Sequence, residues 1–196
     1  MTNPANLLQQ AGDRAKGGDP AGARTILNQL IDLANTSVEL LLPAAFMAFQ
    51  LGDPALAERS LRRAIEINPE FAPAHTNLGN ILREQGRLDD AITATEAACR
   101  LAPRDPMNHV NLAILFEMTQ RPDRAEPALR AALEQTPGEP GLLDALGRVL
   151  LKLARPAEAM TALRQAIQKA PRLASAHFNM ANIYQQAEQL DQAAGS

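Results

Sequence analysis

Large and small apolar residues along the chain recur with a period of 34, and six copies align from residues 4, 38, 72, 106, 140 and 174 without an insertion. Counting places within a copy, larger apolar residues hold the seventh (Leu78, Leu112, Leu146, Met180) and the twenty-fourth (Leu27, Leu61, Leu129, Leu163). Small ones hold the eighth: Ala11, Ala45, Gly79, Ala113, Gly147 and Ala181. The twentieth is alanine in every copy, from Ala23 to Ala193, and the twenty-seventh runs Leu30, Ala64, Ala98, Ala132, Ala166. Within a copy the spacing is helical, since Leu78, Gly79 and Leu82 fall on one face. Each copy therefore predicts two helices, with small residues where they come close.

The residues between these positions agree. Gly18, Gly52 and Gly86 hold the fifteenth place, where a chain leaving a helix adopts positive φ. Asp19-Pro20 and Asp53-Pro54 follow, an acceptor for free N–H groups and then a proline at the first helical position; Pro122 and Pro156 keep that place. Pro69, Pro103, Pro137 and Pro171 end the second helix, and Asn35 stands there in the first copy. Two prolines break the pattern: Pro43 predicts a late helix start and Pro127 a kink. The sixth copy is expected to stop a few residues into its second helix. Its glutamines (Gln185, Gln186, Gln189, Gln192) suit a solvated cap, whereas the missing half-helix and a Gly195-Ser196 scar suit excision from a longer chain, which is the favoured reading.

Composition adds to this. Aromatics are 3% and tryptophan is absent, which suits close-packed helices. The formal charge of -3, with arginine and lysine scattered, excludes a nucleic-acid footprint. No signal peptide or membrane span is expected, because VELLLPAAFMAF is broken by Glu39 and Pro43, and cytoplasm is the default. Cys99 is alone and lacks a nucleophile's surroundings. His75, His109 and His177 all hold the fourth place; successive hairpins set them too far apart to share a metal, so each is expected to wedge between helices with one nitrogen satisfied. No phosphate-binding, dinucleotide or zinc motif is present, so neither a cofactor nor catalysis is expected of this segment.

The small residues at places eight, twenty and twenty-seven and the closing proline resemble the tetratricopeptide repeat. That resemblance implies an all-α, right-handed superhelix, a solenoid of antiparallel helix hairpins with a concave groove. It implies one solenoid over residues 1–196, with repeats 4–37, 38–71, 72–105, 106–139 and 140–173 and a partial 174–196. It also implies which face lines the groove: places two, five, six, nine, twelve and thirteen. Asn77, Asn111 and Asn179 recur at the sixth place and Asn80 and Asn182 at the ninth, although asparagine is a mediocre helix former. The sixth-place series is similar to the asparagine ladder of O-linked N-acetylglucosamine transferases, which holds a substrate backbone; Gln9, Pro43 and Ala145 interrupt it here. Two readings of these amides stand. They take a peptide backbone irrespective of its sequence, or they bond neighbouring helices.

Charged and apolar groove candidates accompany them: Arg83, Asp144 and Arg148, and Phe46, Phe49, Met107 and Ile114, with Val110, Met118 and Phe178 on the same face. Asn80 and Asn111 match the asparagines of the chaperone-binding carboxylate clamp. Thr76, Gly141 and Ala145 stand where its cations belong, so C-terminal tails of heat-shock chaperones (Hsp70, Hsp90) are not expected as partners. The expected function is a protein-binding scaffold holding an extended polypeptide. The alternative is the N-terminal substrate-recognition region of a bacterial-type glycosyltransferase, sulfotransferase or hydroxylase with catalysis beyond residue 196. Self-association through the end hairpins is a further expectation.

Overall fold

The computed structural model describes residues 3–194, with side chains through Gln185. Among the described residues there are eleven α-helices and no strand, grouped in two compact units that divide between Ala102 and Pro103. The first unit holds α1 (Pro4–Lys16), α2 (Pro20–Asp32), α3 (Val38–Gln50), α4 (Pro54–Ile67), α5 (Ala72–Glu84) and α6 (Leu88–Leu101). The second holds α7 (Pro106–Met118), α8 (Pro122–Gln135), α9 (Pro140–Lys152), α10 (Pro156–Lys169) and α11 (Ala174–Ala194). In each unit consecutive helices pair as antiparallel hairpins.

Every hairpin turns in the same way. The fifteenth place takes a left-handed conformation, with φ of 81° at Gly18, 71° at Gly52 and 76° at Gly86. The next N–H then reaches back to the carbonyl five residues earlier, as in Asp53 to Ala48 (3.0 Å) and Arg155 to Leu150 (2.9 Å). This Schellman-type closure satisfies carbonyls that a helix end leaves free. Asp19 and Asp53 then accept from the N–H groups of Gly22 (2.8 Å) and Leu56 (2.9 Å), as the sequence predicts. In α7 through α10 the same turn forms without glycine: Gln120 and Ala154 both take φ of 57°, which costs an L-residue about 1 kcal/mol.

The hairpin interior consists of the small positions. The alanines at places twenty and twenty-seven that lie in α2, α4, α6, α8 and α10 are fully buried. At two of the eighth-place glycines a Cβ would force its neighbour to shift. A Cβ on Gly79 would lie 2.3 Å from Thr95 Oγ1, and one on Gly147 would lie 2.6 Å from Leu163 Cγ. Leucines of the twenty-fourth place, such as Leu27 and Leu61, fill the space between.

Two expectations are corrected, one at Pro43 and one in the sixth copy. Pro43 does not delay its helix: α3 starts at Val38 and carries Pro43 as its sixth residue. Ser37 and Glu39 explain the early start, because the Ser37 carbonyl accepts from the N–H groups of Leu40 and Leu41 (both 3.2 Å) and Glu39 places a carboxylate in the first turn. Pro127 likewise stands sixth in α8, which runs on to Gln135. The turn expected in the sixth copy is replaced by a single helix, α11, because neither glycine nor proline interrupts residues 174–194. Gly195-Ser196 lies outside the described residues.

Ion pairs tie adjacent hairpins in one register, between place twenty-one of a copy and place sixteen of the next. Glu58 pairs with Arg87 at 2.8 Å and Glu126 with Arg155 at 2.5 Å, whereas Arg24 and Asp53 reverse the polarity at 3.9 Å. Arg87 and Arg155 also hold Asp90 and Glu158, and Arg62 and Arg130 each brace the same glutamates from one turn on. Burial of Glu58 pushes its carboxyl up, but hydrogen bonds from Arg62 and Arg87 outweigh this and hold it below its ordinary value.

Two predictions follow from these local structures. Replacing Ala154 or Gln120 by glycine relieves the left-handed strain and raises stability by about 0.5–1 kcal/mol, read as a rise in Tm of about 2 °C in thermal unfolding. Glu58→Gln lowers stability by about 1 kcal/mol at neutral pH. A carboxylate held below its ordinary value stabilises the fold above 4.5 and loses that contribution as pH falls through its native value. The difference between the two proteins in urea unfolding therefore shrinks as pH is lowered past 4.5 and vanishes once Glu58 is protonated in both states.

Candidate functional site

The candidate residues lie on the first helix of each hairpin, on the side turned away from its partner. In the first unit α3 presents Phe46, 63% exposed, and Phe49 one turn later. On α5, Asn77, Asn80 and Arg83 follow at intervals of three, so they form one row along the helix. Asn77 is exposed and Asn80 half-buried, and among the described residues neither side-chain amide makes a hydrogen bond. Among the described residues Arg83 has a long contact to Glu84 at 3.4 Å and no other ion pair.

In the second unit α7 carries a stripe of Met107, Asn111, Ile114 and Met118, spaced by four, three and four residues. Met107 is 58% exposed, and Ile114 and Met118 are also open to solvent. Asn111 is half-buried between them and, among the described residues, makes no hydrogen bond. The stripe combines an amide with both donor and acceptor free and adaptable apolar groups on either side.

Other candidates are engaged within the protein. Asn179 on α11 is buried and donates to Asp144 on α9, also buried, at 3.0 Å. Arg148 makes a two-pronged pair with Glu117 at 3.2 and 2.8 Å, and those bonds hold its guanidinium above its ordinary value. The three sixth-place asparagines thus occupy three environments: exposed at Asn77, half-buried at Asn111 and buried at Asn179. The residue on the first helix one repeat back decides at least two of them. Asp144 offers Asn179 an acceptor, whereas Leu42 holds the equivalent place before Asn77 and offers none. Asn182 is half-buried on α11, where Phe178 and Tyr184 are exposed; Tyr184 holds the eleventh place, which is buried at Leu82, Phe116 and Leu150.

The histidines follow one rule. Each turns Nε2 to a proline carbonyl six residues earlier: His75 to Pro69 (2.8 Å), His109 to Pro103 (2.9 Å) and His177 to Pro171 (2.9 Å). A carbonyl only accepts, so Nε2 carries the proton. They tie each first helix to the loop before it and lie nearer the surface than a wedge between helices would. Among the described residues no group of three His, Cys, Asp or Glu side chains could hold a metal ion, and no helix is long and apolar enough to cross a membrane.

The two classes of asparagine separate experimentally. Asn179→Ala leaves the buried Asp144 carboxylate short of a donor and costs about 2 kcal/mol in urea unfolding. Asn77→Ala, on an exposed amide, stays within about 0.5 kcal/mol of the parent.

Residues 47–106 and residues 116–171 match tetratricopeptide repeat profiles, together more than half of the chain. Solved structures share the fold at low identity. MamA 41-end from Desulfovibrio magneticus RS-1 is 18% identical with a TM-score of 0.69, covering 89% of this chain and 99% of that one. YrrB, described as a TPR protein with an unusual peptide-binding site, is 16% identical with a TM-score of 0.72, covering 90% and 91%. The pilF protein of Pseudomonas aeruginosa is 19% identical with a TM-score of 0.69, covering 98% and 87%. No curated protein matches the chain. The repeated hairpins, their turns and these matches agree, and the chain belongs to the tetratricopeptide repeat family.

Proposed function

We propose that the protein is a non-catalytic scaffold that holds an extended polypeptide against the exposed face of its first helices. The observation that carries this reading is the α7 stripe, where the free amide of Asn111 lies between exposed Met107, Ile114 and Met118. An amide can pair with any peptide backbone, and unbranched apolar side chains adapt to varied partners. The row of Asn77, Asn80 and Arg83 on α5, with Phe46 and Phe49 on α3, gives the first unit a similar combination. Asn179 and Asp144 are left out of the contact set because their polar atoms satisfy each other. The peptide-binding site in the description of YrrB, a protein with the same fold, supports the class of ligand.

The energetics set the scale. A few amide bonds at about 0.5–1.5 kcal/mol each do not outweigh association entropy without apolar anchors. Short peptides are therefore expected to bind at about micromolar affinity or weaker.

The test is a peptide array probed with the intact protein, followed by calorimetric titration of the best binders. Asn111→Ala is expected to weaken them about three- to tenfold. Replacing Met107 and Met118 together by serine weakens them by at least about tenfold, with thermal stability unchanged. Full affinity in both variants sinks the proposal.

A further inference from the structure

Helix α11 is held on one side only. Ala176, Asn179, Met180 and Ile183 are buried where it packs against α9 and α10. A second side, turned about 100° from the first, carries His177, Ala181 and Tyr184 at intervals of four and three. All three are exposed, Tyr184 at 53%. In the other copies this is the side that the second helix of the hairpin covers. The eighth place is buried in all five, from Ala11 to Gly147, and the eleventh is buried at Ala48, Leu82, Phe116 and Leu150. In the sixth copy α11 runs straight past the position of the turn to Ala194, so its own hairpin leaves this side open.

Charge and register together select the occupant. From Ala174 to Ala187 the helix contains no Asp, Glu, Lys or Arg, whereas every other first helix contains at least one. A charged partner finds no counter-charge on this stretch, and an identical face brings no like charges together. When two such helices cross antiparallel about a two-fold axis at Ala181, residues equally far from it on either side lie level. Tyr184 then falls beside the partner's His177, whose Nε2 proton is committed to the Pro171 carbonyl at 2.9 Å and whose Nδ1 is left to accept from the phenol. Positions 188 and 191, Glu188 and Asp191 in the sequence, fall level with the turn that carries the partner's Arg172. Arg172 is exposed and, among the described residues, has no ion pair or hydrogen bond.

We propose that the protein forms a two-fold dimer through this side of α11, with Ala181 of both copies on the axis, Tyr184 against the partner's His177, and Arg172 against the partner's Glu188 and Asp191. The second copy's α11 then fills the place that a second helix holds in the other hairpins. A small residue at the crossing lets the two helices approach, as the eighth place does within each hairpin. The arginine and the acidic positions meet twice, once at each end of the contact, because the two-fold axis repeats every pairing. This side of α11 is distinct from the first-helix stripe, so the dimer and the peptide reading stand on separate residues.

Sedimentation velocity of the full chain over a concentration series reads the shift from 21.1 kDa toward twice that mass. One helix from each copy makes a small contact, so a dimer Kd of about 10–100 μM is expected, weakened several-fold as salt rises to about 0.5 M. Ala181→Glu, which sets two carboxylates on the axis at an exposed helix position, weakens association at least about tenfold with Tm unchanged. Arg172→Glu and Glu188→Arg each weaken it at least about fivefold alone. An equimolar mixture of those two variants recovers the parental association, because each copy supplies the charge that the other needs. Asn111→Ala dimerises as the parent does and Ala181→Glu keeps its peptide affinity, which separates this surface from the one proposed above. A monomer at all concentrations up to about 500 μM, full association in Ala181→Glu, or a mixture no stronger than its two components would each overturn the proposal.

Discussion

The close approach of the two helices within each hairpin is the constraint on which the rest depends. Fully buried alanines at places twenty and twenty-seven remove side-chain bulk from the contact, and the eighth place completes it. At Gly79 beneath Thr95 and Gly147 beneath Leu163 an added methyl group would push the facing side chain aside. Small side chains at these places let the two backbones approach. Among the described residues the exposed large apolar side chains include those on the first-helix stripes, such as Phe46, Met107 and Met118.

Hairpins built on one pattern could in principle stack in several orders. The ion pairs oppose this. Arg24 meets Asp53, while Glu58 meets Arg87, in the same geometric position with reversed sign. If the first hairpin packed where the second belongs, Arg24 would face Arg87. Such pairs contribute little net stability at an exposed site, but like charges at the same site disfavour the wrong neighbour.

The hairpin fold was largely legible in the sequence because it rests on periodic, local rules. Gly18, Gly52 and Gly86 mark the turns, and Asp19 and Asp53 cap the helices that follow, as their chemistry requires. Two local readings failed for a related reason. Pro43 was expected to delay α3, but a helix needs only its first-turn acceptors, and Ser37 supplied one before the proline intervened. A turn is expected in the sixth copy by analogy with the others, although residues 174–194 contain neither glycine nor proline. The left-handed Gln120 and Ala154 show the opposite case, in which hairpin packing imposes a turn on residues that do not favour it.

The sequence by itself determined the period, the helix pairs, the buried small positions and the set of polar residues off the packed stripe. These follow from side-chain size and backbone preference, which act within a few residues. Only the tertiary structure decided which of three equivalent asparagines is free, because the answer depends on a side chain one repeat away: Asp144 consumes Asn179, and Leu42 cannot consume Asn77. It likewise decided that Arg87 reaches Glu58 and Arg148 reaches Glu117, partners one repeat back in the chain. Hydrogen bonding and charge pairing are settled between hairpins, and a repeat pattern fixes only what happens inside one.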